Sequence, residues 1–187
     1  METKYEMIKF ENALPINVLL HSVDVVPNHW HSSLEIIFVV SGSVDLIYDG
    51  KKYVLNKEDV FVINSNKMHT LTSNVKNSII AAQIEYEFIK NIYKDIDRME
   101  FDCKNIDNKN NLPEFDIIRH ILARVVWNYN KGFEGYQLKI NALLYELVYI
   151  LINNFKVESN KKSIDVGNKH FDRLVRIMEY VKEKIGR

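Results

Sequence analysis

The stretch His29-Trp30-His31-Ser32-Ser33-Leu34-Glu35, closed seven residues later by Gly42, decides the reading of this chain. In an extended strand, side chains at i and i+2 share a face, so His29 and His31 project together while Trp30 points away. Ser32-Ser33 can turn the chain and bring Glu35 back on the neighbouring strand beside the imidazoles. The sequence then runs apolar through Ile36-Ile37-Phe38-Val39-Val40 and stops at Ser41-Gly42. Two neutral imidazoles and a carboxylate are a usual donor set for a divalent transition metal. The same groups also bond to one another or to a polar ligand without metal, and spacing leaves both readings open. His69 is the best-placed fourth donor. The segment before it, residues 60–68, reads as a strand followed by a tight turn, with a return strand beginning at His69.

These two segments resemble the paired motifs of the cupin family. His29, His31, Glu35 and Gly42 fit the whole first motif, a His-x-His followed by a spaced Glu and Gly. The glycine that usually precedes the first histidine by six positions is Val23 here. In the second motif Glu58, Asn64 and Asn66 stand at the usual Gly, Pro and Gly positions, and Ser73 at the usual Asn. Asn tolerates positive φ, so the turn is expected to survive. The resemblance implies a mainly β chain with C-terminal helices, built on a double-stranded β-barrel (jelly roll).

Bulk properties suit one barrel with a helical appendage. The chain has 187 residues, 47% apolar and 27% charged, as in ordinary globular proteins. Its one cysteine, Cys103, excludes an internal disulfide and fits a reducing compartment. Lying in a polar, loop-like stretch with no nearby histidine, Cys103 makes a poor nucleophile. The N-terminus lacks the basic-then-apolar plan of a signal peptide. The longest helical apolar run, residues 142–152, is too short to span a membrane. The expectation is a cytoplasmic protein with no membrane partner. Net charge is zero, but residues 156–187 hold nine basic and five acidic side chains. That drift suits either a solvated helix or a chain about to enter a DNA-binding module.

The chain divides into four parts. Residues 1–112 read as the barrel, with a hairpin turning at Asp49-Gly50. Residues 113–155 form a helical segment. Pro113 opens its first helix, with Ile118, Leu122, Val125 and Tyr129 at helical spacing. Its second helix, residues 136–155, has Ile140, Leu143, Leu147 and Ile150 on one face and Leu144, Val148 and Leu151 as a second stripe. That stripe is the candidate dimerisation surface; a single wide core face is the alternative. Residues 156–169 have linker composition. Residues 170–187 begin a last helix, with Phe171, Leu174, Met178, Val181 and Ile185 on a seam. Such a helix ending without a partner suggests a chain cut from a longer protein.

A cupin barrel, two helices, a polar linker and a helix of the type Leu174-Val175-Arg176-Ile177-Met178-Glu179-Tyr180-Val181 resemble the sensor half of AraC-type transcription regulators. The resemblance implies an effector-binding and dimerisation domain whose ligand is a small polar molecule, often a sugar. It implies a homodimer that meets DNA only through a C-terminal helix-turn-helix domain absent from these residues. In this reading His29, His31, Glu35 and His69 line the barrel mouth and contact effector, metal or both, and no residue is catalytic. Tyr48 and Gln83 add hydrogen bonds to a polar ligand. Trp30 packs under the barrel or against the helices, and residues 1–20 form an arm or a first strand. His21, His120 and His170 have no role. No cofactor is required, although the four donors suit Zn, Ni, Fe or Mn. The rival reading is a stand-alone metal-dependent cupin enzyme, of dioxygenase or sugar isomerase type, using the same four residues.

Overall fold

Short runs of β-branched and aromatic residues alternate with turn formers along the first half of the chain, and each run becomes a strand. The computed structural model describes residues 4–106 and 112–159. The final helix expected at 170–187 and most of the linker lie outside them. The chain divides into two units, residues 1–157 and 158–187, and the first holds the sheets and helices. Its strands are β1 (Lys4–Tyr5), β2 (Ile16–His21), β3 (Val25–Trp30), β4 (Leu34–Ser41), β5 (Ser43–Tyr48), β6 (Lys51–Asn56), β7 (Val60–Ile63), β8 (His69–Thr72) and β9 (Ser78–Ile84). After α1 (Tyr86–Ile92) come a 3₁₀ turn (Lys94–Arg98), β10 (Met99–Phe101) and β11 (Lys104–Asn105). Two longer helices, α2 (Pro113–Lys131) and α3 (Tyr136–Asn154), precede β12 (Lys156–Glu158).

The strands form two five-stranded sheets, ordered β1-β3-β8-β5-β6 and β11-β7-β4-β9-β2. β10 and β12 make a separate two-stranded ribbon. The resemblance implied a barrel; the two sheets instead remain distinct ladders, closed by the packing of their inner faces. Ile37, Val39, Phe61, Ile63, Ile79 and Ala81 of one sheet meet Val44, Leu46, Leu55 and Leu71 of the other. The alternate residues Leu34, Ile36, Val60, Val62, Ile80, Ala82 and Ile84 point the other way, into a second core shared with the helices. β4 is thus buried on both faces up to Val39, which is why that stretch is an apolar run apart from Glu35.

Turn chemistry follows the sequence closely. Asp49 and Gly50 both have positive φ, 50° and 75°, as the expected hairpin requires. Glu58 and Asn66, standing where the second motif usually has glycine, adopt φ of 73° and 62°. The backbone of that motif survives the loss of both glycines. Asn64 does something else: its side chain is buried, donating to the Phe101 carbonyl (3.0 Å) and accepting from the Phe101 N–H (2.8 Å).

Three expectations need correction. Glu35 was placed on the strand beside the histidines, but β3 and β4 belong to opposite sheets. Ser32-Ser33 carries the chain across the sandwich instead of round a hairpin. Leu144, Val148 and Leu151 are buried in the chain's own core with Phe115, Ile118 and Leu122, so that stripe offers no surface to a second subunit. α3 packs along α2, which in turn meets β2 of the sheet, and both apolar stripes of α3 are buried in the core these elements share. Cys103, expected in a polar loop, is buried beside β11, where burial pushes its thiol pKa far up. Among the described residues no helix is long and apolar enough to cross a membrane.

Candidate metal centre

His29 lies next to the end of β3, directly across the ladder from His69 at the start of β8. A register shift between Val26 and His29 lets both of those side chains face the interior. His31 follows two residues later, and Glu35 enters from β4 in the opposite sheet. The end of β3 and the turn after it, the neighbouring strand β8 and β4 of the opposite sheet therefore deliver four donors to one point between the sheets. The donor atoms all lie within 4.8 Å of one another. All four residues are buried, His29 least at 7% exposed.

The imidazoles are held by their own backbone. Nδ1 of His29 contacts the Pro27 carbonyl at 2.8 Å, that of His31 the Ser33 carbonyl at 3.1 Å, and that of His69 the Lys67 carbonyl at 2.9 Å. A carbonyl only accepts, so each Nδ1 must carry the proton and donate it. Each neutral ring then presents an Nε2 lone pair to the interior, the tautomer that suits a metal ligand. Glu35 Oε2 stands 3.0 Å from His31 Nε2 and 3.1 Å from His69 Nε2. The His69 contact lacks hydrogen-bond alignment, so that buried nitrogen sits beside the carboxylate without a well-formed hydrogen bond. Lone pairs facing a carboxylate repel unless a cation lies among them.

A proton supplies that cation in one way. Burial alone would lower the His31 pKa, but the Glu35 hydrogen bond and charge outweigh it and raise it. Burial alone would raise the Glu35 carboxyl, yet His31 and His69 hold it far below the usual carboxylate range. Burial, helped by the charge of His69, lowers His29. One proton on His31 satisfies one contact and leaves His69 Nε2 orphaned. A divalent metal satisfies all four donors together, and three imidazoles with one carboxylate suit Zn, Mn, Fe or Ni. The residues fit the group.

Of the two residues expected to add hydrogen bonds to a ligand, Gln83 reaches one of the donors. Gln83 lies opposite Glu35 in the β4–β9 ladder, its Nε2 3.5 Å from Glu35 Oε1. Gln83 is fixed in turn by Asn17, which donates to its Oε1 at 2.8 Å. Tyr48 is paired with His69 across the β5–β8 ladder, and its hydroxyl accepts a hydrogen bond from Asn64 at 3.1 Å. Burial pushes the Tyr48 hydroxyl pKa up, keeping it a neutral donor. Trp30 is buried, and its ring meets Tyr5 of β1, centroids 4.4 Å apart. His21 and His120 bond to backbone carbonyls away from the site, and His170 lies outside the described residues. Sequence reasoning missed Glu6, whose carboxylate reaches His29 Nε2 at 3.4 Å. Only the parallel pairing of β1 with β3 reveals it.

Residues 18–81 match the Cupin_2 family model, described as a cupin domain, and all four donors lie within that matched stretch. No curated protein sequence matches the chain significantly. Among solved structures, it is similar to a conserved Streptococcus pyogenes protein of unknown function, at 12% identity and a TM-score of 0.38, covering 44% of this chain and 80% of that one. A Shewanella frigidimarina cupin-2 domain protein gives 17% and 0.36, covering 43% and 78%. Bacillus subtilis oxalate decarboxylase, described with Mn(II) centres, gives 15% and 0.36, covering 42% of this chain and 23% of that one. At such identities and scores no chemistry passes from them to this chain.

Proposed function

We propose that this chain is a metal-centred sensor of a small polar molecule, the effector-binding part of an AraC-type transcription regulator working in the cytoplasm. The observation that supports it is the double role of β4. Its inner face carries Glu35 to the donors, while Leu34 and Ile36 on its outer face pack in the core of α2 and α3. Any ligand that shifts Glu35 therefore loads the strand on which the helices rest. That is the arrangement a sensor needs, because a ligand shifts an equilibrium only through different contacts in two states. Gln83, whose amide reaches Glu35, offers the polar ligand, sugar-like or related, a hydrogen bond beside the donors, and Tyr48, across the ladder from His69, offers a neutral hydroxyl.

In this reading the protein is a homodimer. Its interface is the exposed face of α3, where Leu138, Tyr145 and Tyr149 stand out from the helix, and not the buried stripe beside it. Any DNA contact belongs to residues other than these. The test is metal content of the purified protein, followed by melting of the metal-loaded form against a panel of sugars and small acids. One equivalent of metal and a ligand-dependent rise support the reading; absence of metal binding overturns its centre.

A second reading keeps the completeness of the donor set as its own argument. All four residues of a metal-dependent cupin enzyme are present and convergent. Such an enzyme, a dioxygenase or isomerase, would use the metal to polarise a bound substrate. It requires turnover that is lost in His31→Ala, whereas the sensor reading requires ligand binding without consumption.

A further inference from the structure

The N-terminal arm reaches the centre from its solvent side. β1 pairs parallel with β3, Lys4 opposite His29 and Tyr5 opposite Trp30. The Glu6 N–H donates to the Trp30 carbonyl at 2.9 Å, and the Tyr5 ring lies on that of Trp30. Three contacts thus fix the backbone that carries Glu6. Its carboxylate, half exposed, ends 3.4 Å from His29 Nε2, and His29 is the most exposed of the four donors. A surface carboxylate near a histidine is ordinarily worth little. Here, however, the His29 Nδ1–H donates to the Pro27 carbonyl, so the neutral ring turns its Nε2 lone pair toward Glu6. Two acceptors held together by a sheet repeat the relationship between Glu35 and His69 inside the site.

We infer that Glu6 is a fifth donor, a carboxylate by which the N-terminal arm closes the metal centre at His29. The inference rests on the metal reading above. It makes the arm part of the site: metal clamps β1 onto β3, and an anionic ligand approaching along this side competes with Glu6.

The test compares Zn(II) affinity, by competition with a chromophoric chelator, in the wild-type chain, Glu6→Gln and Glu11→Gln. Glu11 is an exposed arm carboxylate away from the donors and controls for general charge. Glu6→Gln keeps the strand pairing and should weaken Zn(II) about tenfold or more, while Glu11→Gln should leave it unchanged. Hydrogen exchange of the arm peptide around Glu6 should slow on adding Zn(II) to wild type and stay unchanged in Glu6→Gln. Equal affinity of wild type and Glu6→Gln, or an equal loss in both variants, overturns the role of Glu6 and leaves the four-donor centre standing. A wild-type chain that takes no Zn(II) removes the centre itself and this inference with it.

Discussion

His31 Nε2 and Glu35 Oε2 stand 3.0 Å apart although β3, which ends just before His31, and β4, which carries Glu35, lie in opposite sheets. The contact is therefore a bridge across the sandwich, and a metal bound there ties the two sheets together. Glu35→Gln keeps the shape of the side chain and removes its charge. It should weaken Zn(II) or Mn(II) binding by about a hundredfold, the upper end for losses around metal sites. Metal titration reads this directly. An affinity within threefold of wild type would place the metal elsewhere.

Metal should also stabilise the fold. At a hundredfold excess over its dissociation constant a ligand of the native state adds about 2.7 kcal/mol, which for a chain of this size raises Tm by roughly 5–10 °C. A chelator should reverse the rise.

The same gain should depend on pH. In the metal-free protein the raised His31 contributes stability fully below its ordinary value of 6.5, and loses it as pH climbs through the folded value. The lowered Glu35 contributes fully above its ordinary 4.5 and fails only as pH falls through its folded value. Their pair is strongest between those ordinary values. Metal needs neutral imidazoles, so its contribution grows over the interval where the His31 proton is lost. The Tm difference between loaded and metal-free protein should therefore widen from pH 6 to pH 8. A constant or shrinking difference would mean that the metal does not replace a proton on these rings.

Gly42 closes the first motif for a steric reason. Its φ is +72°, and a Cβ there would come within 2.2 Å of the Lys76 carbonyl oxygen and 2.8 Å of the Asn77 Cα. Neither atom can move aside, because Asn77 is buried and its side chain bonds the Val23 N–H and carbonyl. Gly50 has nearly the same φ, +75°, with open space around it. Gly50→Ala should cost about 1 kcal/mol for the left-handed backbone alone. Gly42→Ala should cost that and at least about 2 kcal/mol more for the clash. Urea unfolding of the two variants isolates the difference; equal values would show that the corner yields.

Much of this site could be read in one dimension because its first three donors lie within seven residues and on a single strand-turn-strand stretch. Gln83 and Tyr48 were legible as polar residues on apolar strands. What failed was pairing. Nothing in Ser32-Ser33 distinguishes a hairpin from a crossing between sheets, so Glu35 was assigned to the wrong side. β10 and β11 were missed because strands of two or three residues carry no periodicity. Glu6 was invisible for a different reason: its contact depends on a parallel ladder to a strand over twenty residues away. Burial of both α3 stripes was also hidden, since an apolar face looks the same whether its partner is the same chain or another.

That last ambiguity has a direct experimental resolution. Leu144 is fully buried in the core shared by the sheet and the helices, whereas Leu138 and Tyr149 are 78% and 66% exposed on the same helix. Leu144→Ala should cost about 2–5 kcal/mol through the cavity it leaves, with no effect on self-association beyond that of unfolding. Tyr149→Glu should leave the melting temperature of dilute protein within error, because the side chain contributes little to the core. If the outer face of α3 joins two copies, that charge must be buried unpaired in the interface, and the dimer should dissociate. Sedimentation velocity of the two variants beside wild type separates the outcomes. A Tyr149→Glu chain that still sediments as wild-type dimer would move the interface off α3, and a wild-type monomer would remove it.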